Sequence, residues 1–182
     1  MIDRVITLGG PPGGGKTTAA TTLARELNLE LVSAGERFRA LAQRKGMELN
    51  ELSAYAEAHP EVDRALDEEM LGLARPGRLL EGRIQGALCH RRHIPAHRLS
   101  VIATPEVRAA RIARRDHVLF PAALAAMQRR EESEARRYHE IYGIDLVTER
   151  PDFFVDSTAL APAEVVTALR EYLSRLGVSD VD

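Results

Sequence analysis

The residues Gly10-Pro11-Pro12-Gly13-Gly14-Gly15-Lys16-Thr17 constrain the fold more than any other part of the chain. They match the pattern G-x-x-x-x-G-K-[ST]. The apolar, β-rich run Val5-Ile6-Thr7-Leu8 precedes them, and Ala19, Leu23 and Leu27 follow at helical spacing, so the order is strand, loop, helix. In that setting the glycines let backbone N–H groups turn inward around a phosphate, and the helix N-terminus adds its positive end. Lys16 then reaches the outer phosphate oxygens, and the Thr17 hydroxyl suits a Mg²⁺ ion. A glycine-rich turn that binds nothing is the bland alternative, and the flanking strand and helix argue against it. The motif implies binding of nucleotide phosphates, but alone it does not separate a kinase from a switch or a motor.

The rest of the chain alternates in the same manner. Leu29 to Val32 is a second strand candidate. A long polar helical region follows from Ala34 to Arg75, with breaks near Gly46 and His59-Pro60. Arg78 to Glu81 reads as a third strand closed by Gly82, and Leu99-Ser100-Val101-Ile102-Ala103 as a continuously buried fourth. Pro105 starts a helix for which Thr104 is the expected cap. A charged segment runs from Arg111 to Asp145 and Phe153-Phe154-Val155 is the last strand. The closing helix from Pro162 carries the stripe Val165, Leu169, Leu173 and Leu176. Strands alternating with helices predict a parallel sheet covered on both faces, with ligands beyond the carboxyl ends of the strands. One α/β domain over 1–182 is expected, with a core of 1–33, 76–114 and 146–182. The segments 34–75 and 115–145 look too polar for that core and read as a flap and a lid over the ligand edge.

Arginines gather where such an edge should be. Ser33 and Glu36 form an S-x-x-E pattern after the second strand, which a capping box alone explains. Arg39, one turn later, can point its fork back at the sheet edge, and Arg83 follows the third strand after Gly82. Together they suit an anion clamp. Further on, Arg111, Arg114 and Arg115 precede Arg129-Arg130-Glu131-Glu132-Ser133-Glu134-Ala135-Arg136-Arg137. That run is either a solvated helix with an Arg130–Glu134 pair or a lid whose arginines close on a transferring phosphoryl group. Only Lys16 and Lys45 are lysines, which sets Lys16 apart.

A formal charge of −2 does not suit a partner held by a nucleic-acid backbone. Cys89 is the lone cysteine and no stretch approaches the ~18 apolar residues of a membrane span, so a cytoplasmic protein is expected, with a monomer favoured. His90, His93 and His97 lie near Cys89, but their spacing is unconvincing for zinc, and an exposed polar connection is the expectation from 89 to 97.

The chain resembles the cytidylate kinases of the short, archaeal type, within the nucleoside monophosphate kinase family. The resemblance rests on G-P-P-G-G-G-K-T-T at Gly10 to Thr18, S-A-G-E-R-F-R at Ser33 to Arg39 and L-E-G-R at Leu80 to Arg83. It continues in R-I-A-R-R from Arg111, R-E-E-S-E-A-R-R-Y from Arg130 and I-Y-G-I-D from Ile141. Glu36 stands where relatives commonly carry Asp, and Gly14 where Ser is common. The resemblance implies a P-loop kinase fold with a five-stranded parallel sheet, an acceptor-binding flap and an arginine lid. It also implies transfer from Mg-ATP to CMP or dCMP. By it, Gly10, Pro11, Pro12, Gly13, Gly14, Gly15, Lys16, Thr17, Thr18 and Arg111 would hold ATP, with Thr17 on the metal. Ser33, Arg39, Arg83 and Glu134 would hold the acceptor, and Lys16, Arg115, Arg130 and Arg137 would act in catalysis. Adenylate kinase is the nearest rival, although Glu81-Gly82-Arg83 replaces its D-G-F-P-R pattern. Another small-molecule P-loop kinase, such as shikimate kinase, and a nucleotide-binding switch or scaffold remain as alternatives.

Overall fold

The computed structural model describes residues 3–178, so the two ends of the expected 1–182 span, 1–2 and 179–182, lie outside the described residues. Five strands form one parallel sheet: β1 (Val5–Gly9), β2 (Glu30–Ser33), β3 (Arg78–Glu81), β4 (Ala96–Ile102) and β5 (Phe153–Asp156), in the order β2-β3-β1-β4-β5. Around it run α1 (Lys16–Glu26), α2 (Ala34–Arg44), α3 (Leu49–Ala58), α4 (Pro60–Gly72), α5 (Gln85–Arg91), α6 (Pro105–Asp116), α7 (Phe120–Tyr142) and α8 (Pro162–Arg175). β1 is central, paired with β3 on one side and β4 on the other, so its carboxyl end is the point where strand order reverses.

Two apolar layers hold the sheet. On one face Ile6, Leu8, Leu79, Leu99, Val101 and Val155 pack against Ala20 and Leu23 of α1 and Leu169 and Leu173 of α8. On the other, Val5, Val32 and Leu80 meet Met70 of α4 and Cys89 of α5. Burying a Leu, Ile, Val or Met side chain contributes about 1.5–3 kcal/mol, and these two layers are the main source of stability.

Several local expectations are corrected. β4 alternates rather than being buried throughout, because Leu99 and Val101 face the fuller layer while Arg98, Ser100 and Ile102 are only half-buried. Thr104 occupies the N-cap of α6 but its side chain caps nothing; its backbone N–H donates to Thr158 Oγ1 at 3.0 Å. Leu176 lies just past the last turn of α8 and is 49% exposed; Val166 fills the stripe in its place. Between α5 and β4 the connection is exposed as expected, at residues 90–93 and Pro95, but its two ends are not: Cys89 sits in the core near the end of α5 and His97 is buried on β4. The segment 34–75 has a small core of its own, Ala42, Leu52, Ala56 and Val62, lined by Phe38 and Tyr55. Its polar composition reflects the solvent faces of three helices around that cluster.

Candidate active site

The phosphate loop owes its shape to backbone conformations that only glycine adopts freely. Gly10 has φ 137° and lies so close to β4 that a Cβ would sit 2.1 Å from the Val101 carbonyl oxygen. Gly15, at φ 95°, is the left-handed N-cap of α1, and no side chain caps that helix. The N–H groups of its first turn, Lys16, Thr17 and Thr18, are thereby left for an anion. From outside, Ser157 donates its hydroxyl to the Gly14 carbonyl at 2.9 Å, and Arg111 grips Ser157 through its Oγ at 2.8 Å and its carbonyl at 2.7 Å. Arg108 is buried, donates to the Pro12 carbonyl at 3.2 Å, and pairs with Glu131 of α7 at 2.6 Å. Thus α6, α7 and the turn after β5 brace the loop.

At the adjacent strand end, Glu81 joins two parts of the sequence. It is buried at the last position of β3, accepts from Ser33 Oγ at 2.6 Å and Thr17 Oγ1 at 3.2 Å, and lies 3.8 Å from Lys16 Nζ. Register explains the meeting, since Glu81 is level with Leu8 of β1 and Ser33 of β2. Burial pushes the Lys16 ammonium below its ordinary pKa; Arg83 and Arg130 push the same way, and Glu81 and Glu134 oppose them. Ser33 also accepts from the Glu36 N–H at 3.2 Å, so the first half of the expected capping box forms, without a return bond from Glu36 among the described residues.

One turn of chain away, Arg83 Nε donates to Glu134 at 2.6 Å, and Arg130 Nε donates to the other Glu134 oxygen at 2.7 Å. Burial alone would raise the Glu134 pKa, but the two guanidiniums outweigh it and hold the carboxyl below its ordinary value. Arg137, one turn further along α7, is buried against Asp63 of α4 at 3.3 Å. Arg39 is exposed and folds back over Gly35, making no hydrogen bond or ion pair among the described residues. Arg115 lies in the last turn of α6, 68% exposed, and pairs with its neighbour Asp116 at 2.7 Å. So Lys16, Thr17, Ser33, Arg83, Arg130 and Glu134 come together directly, Arg137 adjoins them, and Arg39 and Arg115 stand at the rim.

Sequence reasoning missed Glu81, Arg108, Ser157, Asp63 and Asp67. Glu81 alone carried a signal, a lone carboxylate closing an apolar strand beside Gly82-Arg83. Asp67 is buried, accepts from Tyr142 Oη at 2.7 Å and Gln85 Nε2 at 3.3 Å, and burial lifts its pKa to about 7. Nothing in a polar helix distinguishes it from a solvated aspartate. Two surface cavities, of about 420 and 480 Å³, lie at the opposite end of β4 and share Arg98.

A family model described as an AAA domain matches residues 9–138. The chain is 36% identical over 173 residues to a cytidylate kinase of Sulfurisphaera tokodaii, covering 93% of this chain and 95% of that one. To a cytidylate kinase of Methanocaldococcus jannaschii it is 43% identical over 144 residues, 78% of this chain and 81% of the other. Among solved structures, a shikimate kinase from Bacteroides thetaiotaomicron superposes with a TM-score of 0.61 at 16% identity, over 94% of this chain and 98% of that one, a likeness of fold alone. Among the described residues no helix is long and apolar enough to cross a membrane.

Proposed function

The chain belongs to the AAA-domain family that matches residues 9–138 and to the cytidylate kinases, and from that membership we propose that it transfers the γ-phosphoryl group of ATP to CMP or dCMP, giving ADP and the nucleoside diphosphate. The observation that carries the reading is the convergence of Lys16, Thr17 and Ser33 on Glu81. The phosphate loop and the end of the acceptor strand share one wall, so a donor on the first faces an acceptor on the second.

ATP lies with its phosphates against residues 10–15 and the N–H groups of Lys16, Thr17 and Thr18, and with its base toward Arg111. Lys16 follows the β and γ oxygens. The Thr17 hydroxyl and the Glu81 carboxylate, 3.2 Å apart, are hard oxygen donors that fit Mg²⁺. Bound there, Mg²⁺ supplies neutralisation of charge on the β- and γ-phosphates. Ser33, Arg39 and Arg83 receive the acceptor, with Glu134 holding Arg83 and Arg130 at fixed angles. Arg115 and Arg130 offset the negative charge that spreads over the transferring oxygens, and Arg137 serves the acceptor end. No general base is required, because a monophosphate has a second pKa of about 6 and is largely ionised at neutral pH.

Segments 34–75 and 115–145 act as flap and lid over the core, excluding water as both substrates seat. The reaction belongs in the cytoplasm, carried out by a monomer. The test is ADP formation from Mg-ATP across CMP, dCMP, UMP, AMP, GMP and shikimate, with products identified. Turnover confined to CMP and dCMP is expected. Preference for AMP would keep the chemistry and overturn the acceptor, and ATP turnover only with an added protein partner would favour a switch.

A further inference from the structure

We infer that Ser157 is a positioning residue for phosphoryl transfer, fixing one peptide plane of the phosphate loop and tying that plane to the base of the donor. The inference rests on the monophosphate kinase reading above, in which the donor base lies toward Arg111. Ser157 follows β5 directly and is 2% exposed. Its N–H donates to the Ile102 carbonyl of β4 at 2.8 Å, so the residue extends the pairing of the two strands and is held in place by them. Its hydroxyl carries one proton. Arg111 Nη1, 2.8 Å away, can only donate, and the Gly14 carbonyl, 2.9 Å away, can only accept, so the proton lies toward Gly14.

The peptide bonds of the described residues are trans, and in a trans peptide the C=O and the N–H point in opposite directions. Ser157 grips the carbonyl of the Gly14–Gly15 peptide from outside the loop, which turns the Gly15 N–H to the inside. That N–H finds no acceptor among the described residues. Two glycines in succession have little conformational preference of their own, so the plane between them is free to turn over. Turned over, it would aim a carbonyl oxygen at the phosphates in place of a donor. The hydrogen bond from Ser157 opposes that. The Pro12–Gly13 peptide is held in the same manner, its carbonyl by Arg108 at 3.2 Å, and the Gly13 N–H likewise has no acceptor among the described residues.

The two anchors differ in where they lead. Arg108 is tied to Glu131 of α7, whereas Ser157 is tied to Arg111. Arg111 spends both ends of its fork on Ser157, Nη1 on the hydroxyl oxygen at 2.8 Å and Nη2 on the carbonyl at 2.7 Å. Those N–H groups lie in the plane of the guanidinium, so its face stays free for a base to stack on. A base on that face presses Arg111 into its place against Ser157, and Ser157 in turn holds the Gly14–Gly15 peptide. The base of the donor thereby helps to orient an N–H at its own phosphates, and it contributes to the rate of transfer as well as to affinity.

The experiment measures single-turnover rates of CMP phosphorylation at saturating donor, in the wild type and in Ser157→Ala. The donors are ATP and ribose 5-triphosphate, which is ATP with a hydroxyl in place of its base. A base that only anchors the donor changes KM and leaves the saturated rate alone. Wild type is expected to transfer from ATP about tenfold faster or more, the scale of one hydrogen bond held in its productive orientation. In Ser157→Ala that ratio should collapse toward one, because the ATP rate falls. A purely structural role would slow both donors by one common factor, and an unchanged ratio overturns the inference. Should Ser157→Ala fail to fold, equal saturated rates for the two donors in the wild type overturn it instead. If CMP is phosphorylated at rates that ignore the donor base, this inference alone falls; if no monophosphate is phosphorylated from either donor, the kinase reading falls and takes it along.

Discussion

Replacing Glu134 with glutamine tests the central electrostatic feature of the site. The carboxylate is 4% exposed and accepts from Arg83 at 2.6 Å and Arg130 at 2.7 Å. The Arg130 side chain is 51% exposed and can swing into water when its partner is neutralised. Arg83, 13% exposed, cannot, so its uncompensated charge dominates the cost. Removing one member of a buried ion pair costs about 3–5 kcal/mol, and glutamine keeps one acceptor oxygen, which places the loss near the lower end, about 3 kcal/mol. In a chain of this size 1 kcal/mol moves Tm by roughly 2–4 °C, so Glu134→Gln should unfold roughly 6–12 °C earlier. The wild-type pKa of Glu134 is depressed, so its contribution is present above the unfolded carboxyl pKa of about 4.3 and fades as pH falls through the folded value. The gap between wild type and variant should therefore close in acid. Saturating CMP should also narrow it, because a phosphate dianion supplies Arg83 with the missing charge. Calorimetric unfolding at pH 7 and in acid, with and without CMP, measures each of these. A loss below about 1 kcal/mol, as for an exposed pair, or a gap that ignores acid, would refute the clamped carboxylate.

Three further outcomes are expected. Lys16→Ala removes the ammonium 3.8 Å from Glu81 and should lower kcat by about a hundredfold or more with the fold intact by circular dichroism; wild-type turnover would remove Lys16 from catalysis. Arg39→Ala should raise the acceptor KM about tenfold and leave the KM for ATP unchanged, since the side chain is exposed at the rim with no partner to lose among the described residues; steady-state kinetics in both substrates decides. Burial raises the Asp67 pKa to about 7, so the folded protein retains a proton that the unfolded chain loses near pH 4, and stability falls as pH rises between those values. Asp67→Asn should flatten that slope in urea titrations from pH 4 to 8, and an unchanged slope would assign the decline to other groups.

The residues themselves determined the frame of this protein. A strand, a glycine loop ending in Lys16-Thr17 and a helix can adopt few arrangements, because φ values such as 137° at Gly10 and the bare start of α1 leave little but a phosphate cradle. Apolar runs marked all five strands, and the breaks at Gly46 and His59-Pro60 separated α2, α3 and α4 where the structure separates them. Arg83 and Arg130 were legible as anion-facing candidates because each follows a strand or lies in a charged helix run. What covers a side chain was not legible. Glu81 becomes a hub only because parallel pairing sets it level with Ser33 of β2 and beside the loop after β1. Asp63 and Asp67 carry the same polar signature as any solvated helix face, and packing of α4 on α7 buries them. Arg108, one arginine among many, braces the phosphate loop only through the Pro12 carbonyl and Glu131, 96 and 23 residues away in sequence. Local pattern fixes which way a side chain leaves its own helix or strand, but its partners and its electrostatic environment depend on contacts between distant segments, and only the tertiary structure decides those.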